Sequence, residues 1–180
     1  MDRERLKTLI KGCVHKGEVT LASGKTSDFY VDGRLVTLDC EGSRLIGEEV
    51  LDLAQELKVT AIGGPTTGAC PMVSAAGVLA AEAGVPFKLF YVRAQAKGHG
   101  MQKAIEGATL TKADRVLIVD DVMTSGGSVM KVVARIREET GASIAGVFCL
   151  VDRQAGGRET LEAGDVNLHA LYTRADLKEE

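Results

Sequence analysis

The sequence has few aromatic residues and no excess of positive charge. It contains no tryptophan, aromatic residues make up 4% of the chain, and the formal net charge is −3. Single-stranded nucleic acids stack on aromatic rings, and duplexes are held by basic patches, so this composition argues against a nucleic-acid-binding surface. A substrate that carries phosphates would need locally placed cations instead.

The sequence also lacks paired cysteines and a long apolar run. No C-x-x-C pair and no cysteine–histidine cluster occurs, which argues against a structural zinc site and is typical of reduced thiols in the cytoplasm. The scattered cysteines are Cys13, Cys40, Cys70 and Cys149. The charged N-terminus, MDRERLKTLIKG, lacks the apolar core of a signal peptide. The most apolar helix candidate, 71–83, is too short and too rich in alanine and glycine to cross a bilayer.

Strand and helix patterns alternate along the chain, without an internal repeat or a linker. We expect one domain over the 180 residues, in which a mostly parallel α/β sheet is flanked by helices. Helices are predicted over 3–16, 42–57, 71–83 and 128–139, the last ended by Gly141, and strands over 59–62, 87–92, 116–119, 144–151 and 166–172. Residues 17–40 are expected to form a small N-terminal hood over the sheet. His15 is predicted to cap a helix end and His169 to lie on the last strand.

The most informative stretch is VLIVDDVMTSGGS, residues 116–128. Four branched apolar residues predict a buried strand that ends abruptly at Asp120 and Asp121. A turn of small residues and a helix follow. The carboxylates can accept hydrogen bonds from vicinal hydroxyls, and the turn amides and helix N-terminus can receive phosphate oxygens. The stretch therefore predicts a sugar-phosphate site, although similar acids also cap loops or bind metal in ordinary doubly wound domains.

Three further stretches carry candidate binding residues. In GGPTTGACP, residues 63–71, a strand runs into a loop of small residues that lets backbone amides approach an anion closely, although the stretch also fits an ordinary strand-to-helix turn without a bound anion. RAQAKGHGMQKAIEG, residues 93–107, is basic and glycine-punctuated, which suits a mobile lid over a polyanion or a solvated surface loop. Arg153 can bind a carboxylate in bidentate fashion, or it can pair on the surface with Asp152 or Glu159.

Together these stretches resemble the orotate phosphoribosyltransferases, which are type I phosphoribosyltransferases. Residues 116–128 match the family's phosphoribosyl diphosphate (PRPP) signature, and 93–107 resemble its mobile catalytic loop, R-K-E-x-K-x-H-G. TLASGKTSDFYVDGR, residues 20–34, is similar to the hood motif L-x-S-G-x-x-S-x-x-Y. Residues 63–71 resemble the diphosphate-binding loop G-G-x-T-x-G-A-x-P of a subset of the family. The matches occur in the family's order and spacing.

The resemblance implies a role for individual residues. Asp120 and Asp121 are expected to contact the ribose hydroxyls, and Arg153 the orotate carboxylate, with Tyr30 and Thr124 also at the orotate. Catalysis is expected to involve the two acids together with Lys97 and His99. The remaining PRPP contacts implied for the two loops and the lid are Thr66, Thr67, Gly68, Arg93, Lys97, His99, Thr124, Ser125, Gly126, Gly127 and Ser128.

The resemblance also implies a reaction, a metal cofactor and an oligomeric state. The family transfers the phosphoribosyl group of PRPP to orotate, giving orotidine 5′-monophosphate and diphosphate in de novo pyrimidine (UMP) biosynthesis. Mg²⁺ is expected to be held mainly by PRPP and not directly by protein side chains. A cytoplasmic homodimer is implied, in which the lid of one subunit reaches the active site of its partner.

Some positions depart from the family's motifs and keep other functions open. Ala94 and Gln95 stand where the lid motif usually has Lys and Glu, and Ala22 stands where some members have Lys. The Ala94 change removes a cation expected to help hold the diphosphate, and Cys70 is atypical in its loop. The alternatives are a phosphoribosyltransferase for a purine or uracil, a non-catalytic PRPP-binding regulator, and a magnesium-binding signalling domain.

Overall fold

The computed structural model describes residues 2–15, 17, 19–20, 26–27, 29–94 and 104–178. The strands are β1 (Val14–His15), β2 (Val19–Thr20), β3 (Thr26–Ser27), β4 (Tyr30–Val31), β5 (Ala61–Pro65), β6 (Lys88–Val92), β7 (Ile105–Gly107), β8 (Arg115–Met123), β9 (Ser143–Asp152) and β10 (Leu168–Thr173). The helices are α1 (Arg3–Gly12), α2 (Arg34–Thr37), α3 (Cys40–Glu56), α4 (Ala69–Glu82), α5 (Gly127–Thr140), α6 (Gly157–Glu162) and α7 (Arg174–Leu177).

A six-stranded sheet in the order β10-β9-β8-β5-β6-β7 forms the centre of the structure. Neighbouring strands from β10 to β6 are parallel, and only β7 pairs antiparallel with its neighbour β6. This arrangement confirms the predicted mostly parallel α/β sheet. The central strand β8 carries Val116–Val119, all fully buried, because strands covered on both faces need continuous apolar runs.

Each face of the sheet is covered by its own apolar cluster. On one face, α1, α3 and α4 contribute buried residues such as Leu6, Ile46 and Met72. On the other face, α5 contributes buried residues such as Val129 and Ile136. No helix within the described residues has the length and apolar character that crossing a membrane requires.

The N-terminal helix is shorter than the predicted helix over 3–16. Helix α1 ends at Gly12, and the next residues form β1, which pairs antiparallel with β4. His15 therefore lies opposite Tyr30 in a strand pair, and the prediction that it caps a helix end is wrong. The apolar spacing continues past Gly12, but pairing with the hood segment overrides the helical pattern.

The central strand is longer than predicted. It does not end at Asp120 but continues to Met123, because β9 runs alongside and pairs Val122 with Val151 and Met123 with Asp152. Both acids are therefore part of the strand. Strand β7 was not predicted either, and it takes up the last three residues of the predicted loop over 93–107.

The predicted helix boundaries also shift at α4 but hold at the end of α5. Pro71 is the third residue of α4 and not its first, which is tolerated because amides of the first turn have no intrahelical partner. Helix α5 ends at Gly141 with φ +69°, a left-handed conformation that favours glycine, as predicted. His169 lies on the last strand, also as predicted.

An ionic cluster around the buried Asp114 connects the amino ends of three strands. The Asp114 carboxylate accepts hydrogen bonds from Lys88 Nζ at 2.8 Å, Thr60 Oγ1 at 3.0 Å and the Thr111 amide at 2.7 Å. The bond from Lys88 is the main reason that the pKa of Asp114 is lowered to about 2, and it outweighs the opposing effect of burial. The cluster joins β5, β6 and β8 where each strand begins.

We predict that Asp114→Asn lowers the free energy of unfolding by about 1–3 kcal/mol at pH 7, because the charge-assisted bond from Lys88 is lost. A lowered pKa contributes stability above the unfolded pKa of about 3.9, and that contribution disappears as pH falls towards 2. Urea unfolding at pH 7 and pH 3 checks this, with the exposed Asp52→Asn as control. The prediction is contradicted if the variant and the unmodified protein differ in free energy of unfolding by as much at pH 3 as at pH 7.

Candidate active site

Several of the predicted site residues that the structure describes meet at one edge of the sheet. Thr66 follows β5, Asp120 and Asp121 lie near the end of β8, and Arg153 follows β9. These three strands are parallel neighbours, so their carboxyl ends lie side by side. The carboxyl edge of such a sheet is where ligands bind in this class of fold.

The two acids form a closely packed pair. Asp120 is only 9% exposed, and its Oδ1 accepts a hydrogen bond of 3.1 Å from the Asp121 amide. Asp121 is half-buried, and its Oδ1 accepts a bond of 2.8 Å from the Val122 amide. A Cβ placed on Gly68 would lie 2.7 Å from Asp121 Oδ1 and 2.8 Å from Asp120 Oδ1. The loop after β5 therefore touches both carboxylates.

Burial gives the pair an unusual protonation state. Loss of solvent is the largest cause and the neighbouring charge of Asp121 the second, and together they raise the pKa of Asp120 to about 7. Two carboxylates this close resist ionising together, which is common in catalytic sites. Near neutral pH the Asp120 carboxyl is therefore partly protonated, so it can both donate and accept hydrogen bonds.

The loop after β8 has the geometry of an anion site. Gly126 adopts φ +76°, a left-handed conformation, and leads directly into α5 with no capping side chain among the described residues. The first amides of α5 are thus left to receive an anion, together with the positive end of the helix dipole. Ser125, Gly127 and Ser128 of this loop are exposed, and Thr124 is half-buried.

Helix α6 supports this loop from below. A Cβ on Gly126 would lie 3.0 Å from the Gly157 carbonyl oxygen, and a Cβ on Gly157 would lie 2.7 Å from the Thr124 carbonyl oxygen. Sequence reasoning missed α6 and its role as a support. The Gly156–Gly157 pair in the short connection after β9 was the signal that could have indicated a close contact there.

The loop after β5 is held by backbone bonds. The Thr66 amide donates to the Val92 carbonyl at 3.1 Å, and the Cys70 amide donates to the Thr67 carbonyl at 3.1 Å. The Thr66–Thr67 peptide bond is cis. Both threonines are exposed. Cys70 is half-buried, and this burial raises the pKa of its thiol, so the atypical cysteine stays protonated.

Arg153 is buried under the hood. It is 9% exposed, which rules out the alternative of a surface arginine. Its Nη2 donates a hydrogen bond of 2.6 Å to the Phe29 carbonyl, and its amide donates to the Met123 carbonyl at 3.0 Å. Tyr30, the predicted aromatic contact for the base, is the next residue of the hood and is half-buried. Arg153 thus joins the hood to the end of β8.

The base of the predicted lid is anchored between β6 and β7. Arg93 Nη1 lies 3.0 Å from Glu106 Oε1, and the Arg93 amide donates to the Ala104 carbonyl at 2.9 Å. A cavity of about 470 Å³ adjoins this anchor and is also lined by Thr66, Ser128 and Arg135. The predicted lid residues Gln95, Lys97 and His99 lie outside the described residues.

Comparison with known proteins agrees with this geometry. The family profile described as "Phosphoribosyl transferase domain" matches residues 41–169. The chain is 39% identical over 181 residues to the orotate phosphoribosyltransferase of Aquifex aeolicus, covering 98% of each chain. It is 46% identical over 154 residues to that of Streptomyces avermitilis, covering 86% of this chain and 83% of the relative.

A solved structure has the same architecture. The Mycobacterium tuberculosis orotate phosphoribosyltransferase in complex with 5-phospho-alpha-D-ribosyl 1-diphosphate (PRPP) matches with a TM-score of 0.78 and 34% identity, covering 98% of this chain and 99% of that one. This chain belongs to the orotate phosphoribosyltransferase family. The fold expected for a type I phosphoribosyltransferase is therefore confirmed.

The magnesium-binding signalling domain is not supported by the geometry. Such a domain needs a further acid beside the pair, and across residues 2–94 and 104–178, as far as described, no three metal-binding side chains come together. The neighbouring strand β5 presents Gly63 and Gly64 in its buried centre. Instead of a third acid, a loop with the geometry of an anion site follows the strand that carries the pair.

We predict that Asp120→Asn raises the free energy of unfolding by about 2–4 kcal/mol at pH 8 and has little effect at pH 4. The pKa of Asp120 is higher in the folded state than in the unfolded state. The carboxyl therefore stabilises the fold at pH values below its unfolded pKa of about 3.9, and this stabilisation is lost as pH rises through 7. An asparagine at this position cannot ionise, so the variant does not lose that stability. Urea unfolding at both pH values measures the effect, with Asp52→Asn as control, and a gain equal at both pH values would disprove it.

Proposed function

We propose that this chain catalyses transfer of the phosphoribosyl group of PRPP to orotate, giving orotidine 5′-monophosphate and diphosphate in pyrimidine biosynthesis. One observation carries the proposal: an acid pair, in which Asp120 is buried and Asp121 half-buried, lies shortly before the glycine loop that leads into helix α5. This order puts hydroxyl acceptors next to an anion site, which is the recognition that a ribose 5-phosphate requires. Curated relatives of 39% and 46% identity carry the name orotate phosphoribosyltransferase, which supports orotate as the base.

The reaction breaks the bond between the ribose anomeric carbon and a diphosphate oxygen, and forms a bond from that carbon to orotate N1. The N1–H bond of orotate breaks at the same time, and its proton passes to the leaving diphosphate or to water. Diphosphate leaves with the electron pair, while positive charge develops on the ribose. Asp120 and Asp121 accept hydrogen bonds from the ribose hydroxyls and place negative charge near that developing cation. Catalysis then comes from positioning and charge stabilisation, without a covalent intermediate on the protein.

The phosphates of PRPP fit two backbone loops. The 5′-phosphate meets the amides of residues 124–128 and the positive end of α5. The diphosphate meets residues 66–68 at the end of β5, with Arg93 at the base of the lid. Lys97 and His99 approach the diphosphate when the lid closes and water is excluded, which strengthens their charges there.

Magnesium is part of the proposal. Hard cations prefer oxygen ligands, and Mg²⁺ usually takes several of them from water and substrate phosphates. The described chain offers the carboxylate pair but no cluster of three ligands, a donor set that fits an ion held mainly by PRPP. When bound, Mg²⁺ neutralises charge on the leaving diphosphate.

Base recognition rests on Arg153 and the hood. A guanidinium can bind the orotate carboxylate through two parallel hydrogen bonds, and burial strengthens that pairing. Tyr30 lies on the hood strand next to the Phe29 carbonyl that Arg153 holds, so the ring and the cation can address one pyrimidine. A purine or uracil has no carboxylate for Arg153 to bind.

A homodimer is also proposed. Helix α4 consists mainly of small apolar residues, and its Val78 is 60% exposed. Leu35 and Leu38 of the hood are 61% and 71% exposed. Exposed apolar positions of this kind favour association with a second subunit. We further propose a cytoplasmic location, which the free cysteines at positions 13, 40, 70 and 149 support.

Loss of orotate absorbance with PRPP and Mg²⁺ tests the function, with hypoxanthine, adenine and uracil as rival bases. The expected result is magnesium-dependent turnover of orotate alone, which would also show that Ala94 is tolerated in the lid. Turnover of another base instead would overturn the orotate assignment. PRPP binding by calorimetry without turnover of any base would indicate a regulator.

We predict that Arg153→Ala raises KM for orotate by roughly 10–100-fold, because a charge-assisted bidentate contact is lost. KM for PRPP should change much less. Steady-state kinetics with each substrate varied in turn measures both constants. Arg137→Ala, on the exposed side of α5, is the control. An equal rise in both KM values would show that Arg153 does not read the carboxylate.

We predict that Lys97→Ala lowers kcat by at least about 100-fold while the fold is unchanged, because diphosphate charge is left unbalanced. Lys112→Ala, at an exposed lysine that lies beside Gly141, is the control. Full activity in Lys97→Ala would remove the lid from the mechanism.

Mixing subunits tests lid exchange in the proposed dimer. If the lid serves the partner's site, Lys97→Ala and Asp121→Asn subunits, each inactive alone, should recover activity together, since one hybrid site has both native residues. If each lid serves its own site, every hybrid site lacks one of them and activity stays absent.

A further inference from the structure

Two glycines from different loops lie so close to the acid pair that neither position has room for a Cβ atom. One is Gly68, in the predicted diphosphate loop, and the other is Gly33, which directly precedes α2 in the hood. A Cβ on Gly33 would lie 2.7 Å from Asp121 Oδ2, 2.8 Å from Asp121 Cβ and 3.0 Å from Asp121 Cγ. Gly33 therefore lies against the whole carboxymethyl group of Asp121 and not only its tip.

Backbone conformation does not explain either glycine. Gly33 has φ −60° and ψ −22°, and Gly68 has φ −57° and ψ −40°. Every L-amino acid adopts this right-handed region freely, and glycine loses more conformational freedom there than alanine does. Gly126 differs, because its φ of +76° is reason enough for glycine. What Gly33 and Gly68 share is the absence of space beside a carboxylate.

The two contacts hold opposite sides of the same group. Gly68 approaches Oδ1 of Asp121, and Gly33 approaches Oδ2. Rotation of the carboxylate alone would not relieve a side chain at position 33, because Asp121 Cβ is itself within 2.8 Å and belongs to the strand β8. Either Asp121 or the hood would have to move.

Gly33 also joins two parts of the proposed site. Phe29, whose carbonyl accepts the bond from Arg153, and Tyr30 precede it on the same short hood segment. Asp32 holds Arg34 through bonds of 2.8 and 2.9 Å, which brace the turn around Gly33. The hood segment that meets the base thus continues directly into the residue that packs on a ribose acid.

We infer that Gly33 is a positioning residue for the ribose subsite, where its bare Cα lets the hood pack on Asp121 and fixes the direction of that carboxylate. The inference rests on the proposed function, since it assigns Asp121 to the ribose of PRPP. Gly33 touches no substrate and acts through Asp121. A displacement near 1 Å at a group that orients the reacting sugar is enough to slow catalysis strongly.

Gly33→Ala tests the inference, with Gly12→Ala as a matched control, because a Cβ on Gly12 meets nothing within 4 Å. The expected result for Gly33→Ala is a fall in kcat/KM for PRPP of roughly 10–100-fold with KM for orotate within about twofold. Gly12→Ala should match the unmodified protein. Unchanged PRPP kinetics in Gly33→Ala, or an equal loss for both substrates, overturns the inference.

Two further measurements separate this inference from its foundation. If the unmodified protein does not turn over orotate, the proposed function is wrong. Calorimetry with PRPP alone still tests the role of Gly33 in that case. Weaker PRPP binding by Gly33→Ala than by the unmodified protein supports the inference, and equal binding overturns it. If Gly33→Ala does not fold, the double variant Gly33→Ala/Asp121→Gly removes the atoms that the new Cβ meets. Recovery of a cooperative unfolding transition supports the contact with Asp121, and continued failure overturns it.

Discussion

Two adjacent carboxylates on the central strand of the sheet are the constraint on which the rest of the site depends. Burial and mutual repulsion raise the pKa of Asp120 to about 7, so the pair is costly to keep ionised. The surroundings are shaped to hold it nonetheless: backbone amides of Asp121 and Val122 donate to the carboxylates, and Gly33 and Gly68 crowd them from two loops. Two adjacent acids that are unfavourable to ionise together are typical of a functional site and not of a hydrophobic core.

The opposite end of the same sheet shows the contrast. Asp114 is equally buried, but Lys88 lowers its pKa to about 2, and Thr60 and Thr111 complete its hydrogen bonds. There the carboxylate is fully ionised and stabilises the start of three strands. The amino edge of the sheet therefore carries a stabilising ionic cluster. The carboxyl edge, where the proposed chemistry takes place, carries an acid pair that is costly to ionise.

Much of the fold could be predicted from the sequence because local signals agreed with tertiary structure. The buried run Val116–Val119 and Gly141 after α5 each predicted their element correctly. The extension of β8 to Met123 depends on pairing with β9, and β7 depends on pairing with β6, so neither is readable from local periodicity. Pairing between strands that are distant in the sequence overrides local strand propensity and the hydrophobic pattern.

The parts of the site that are formed by residues close together in the sequence were predicted more fully than the contacts between distant residues. The order of acids, glycines and helix start was local and visible, and the structure places Asp120 and Asp121 beside Gly68. The burial of Arg153 under the Phe29 carbonyl and the support of the phosphate loop by Gly157 join residues far apart in the chain. Gly33 carried no signal, since its need for glycine arises only from a side chain on another strand.

A crystal structure of the protein with PRPP bound would show directly whether the acid pair holds the sugar. We expect ribose hydroxyls within hydrogen-bond distance of Asp120 and Asp121, and the 5′-phosphate on the amides of residues 124–128. A ribose placed elsewhere, for example in the cavity between Arg93 and Arg135, with the acid pair not in contact with the sugar, would contradict it.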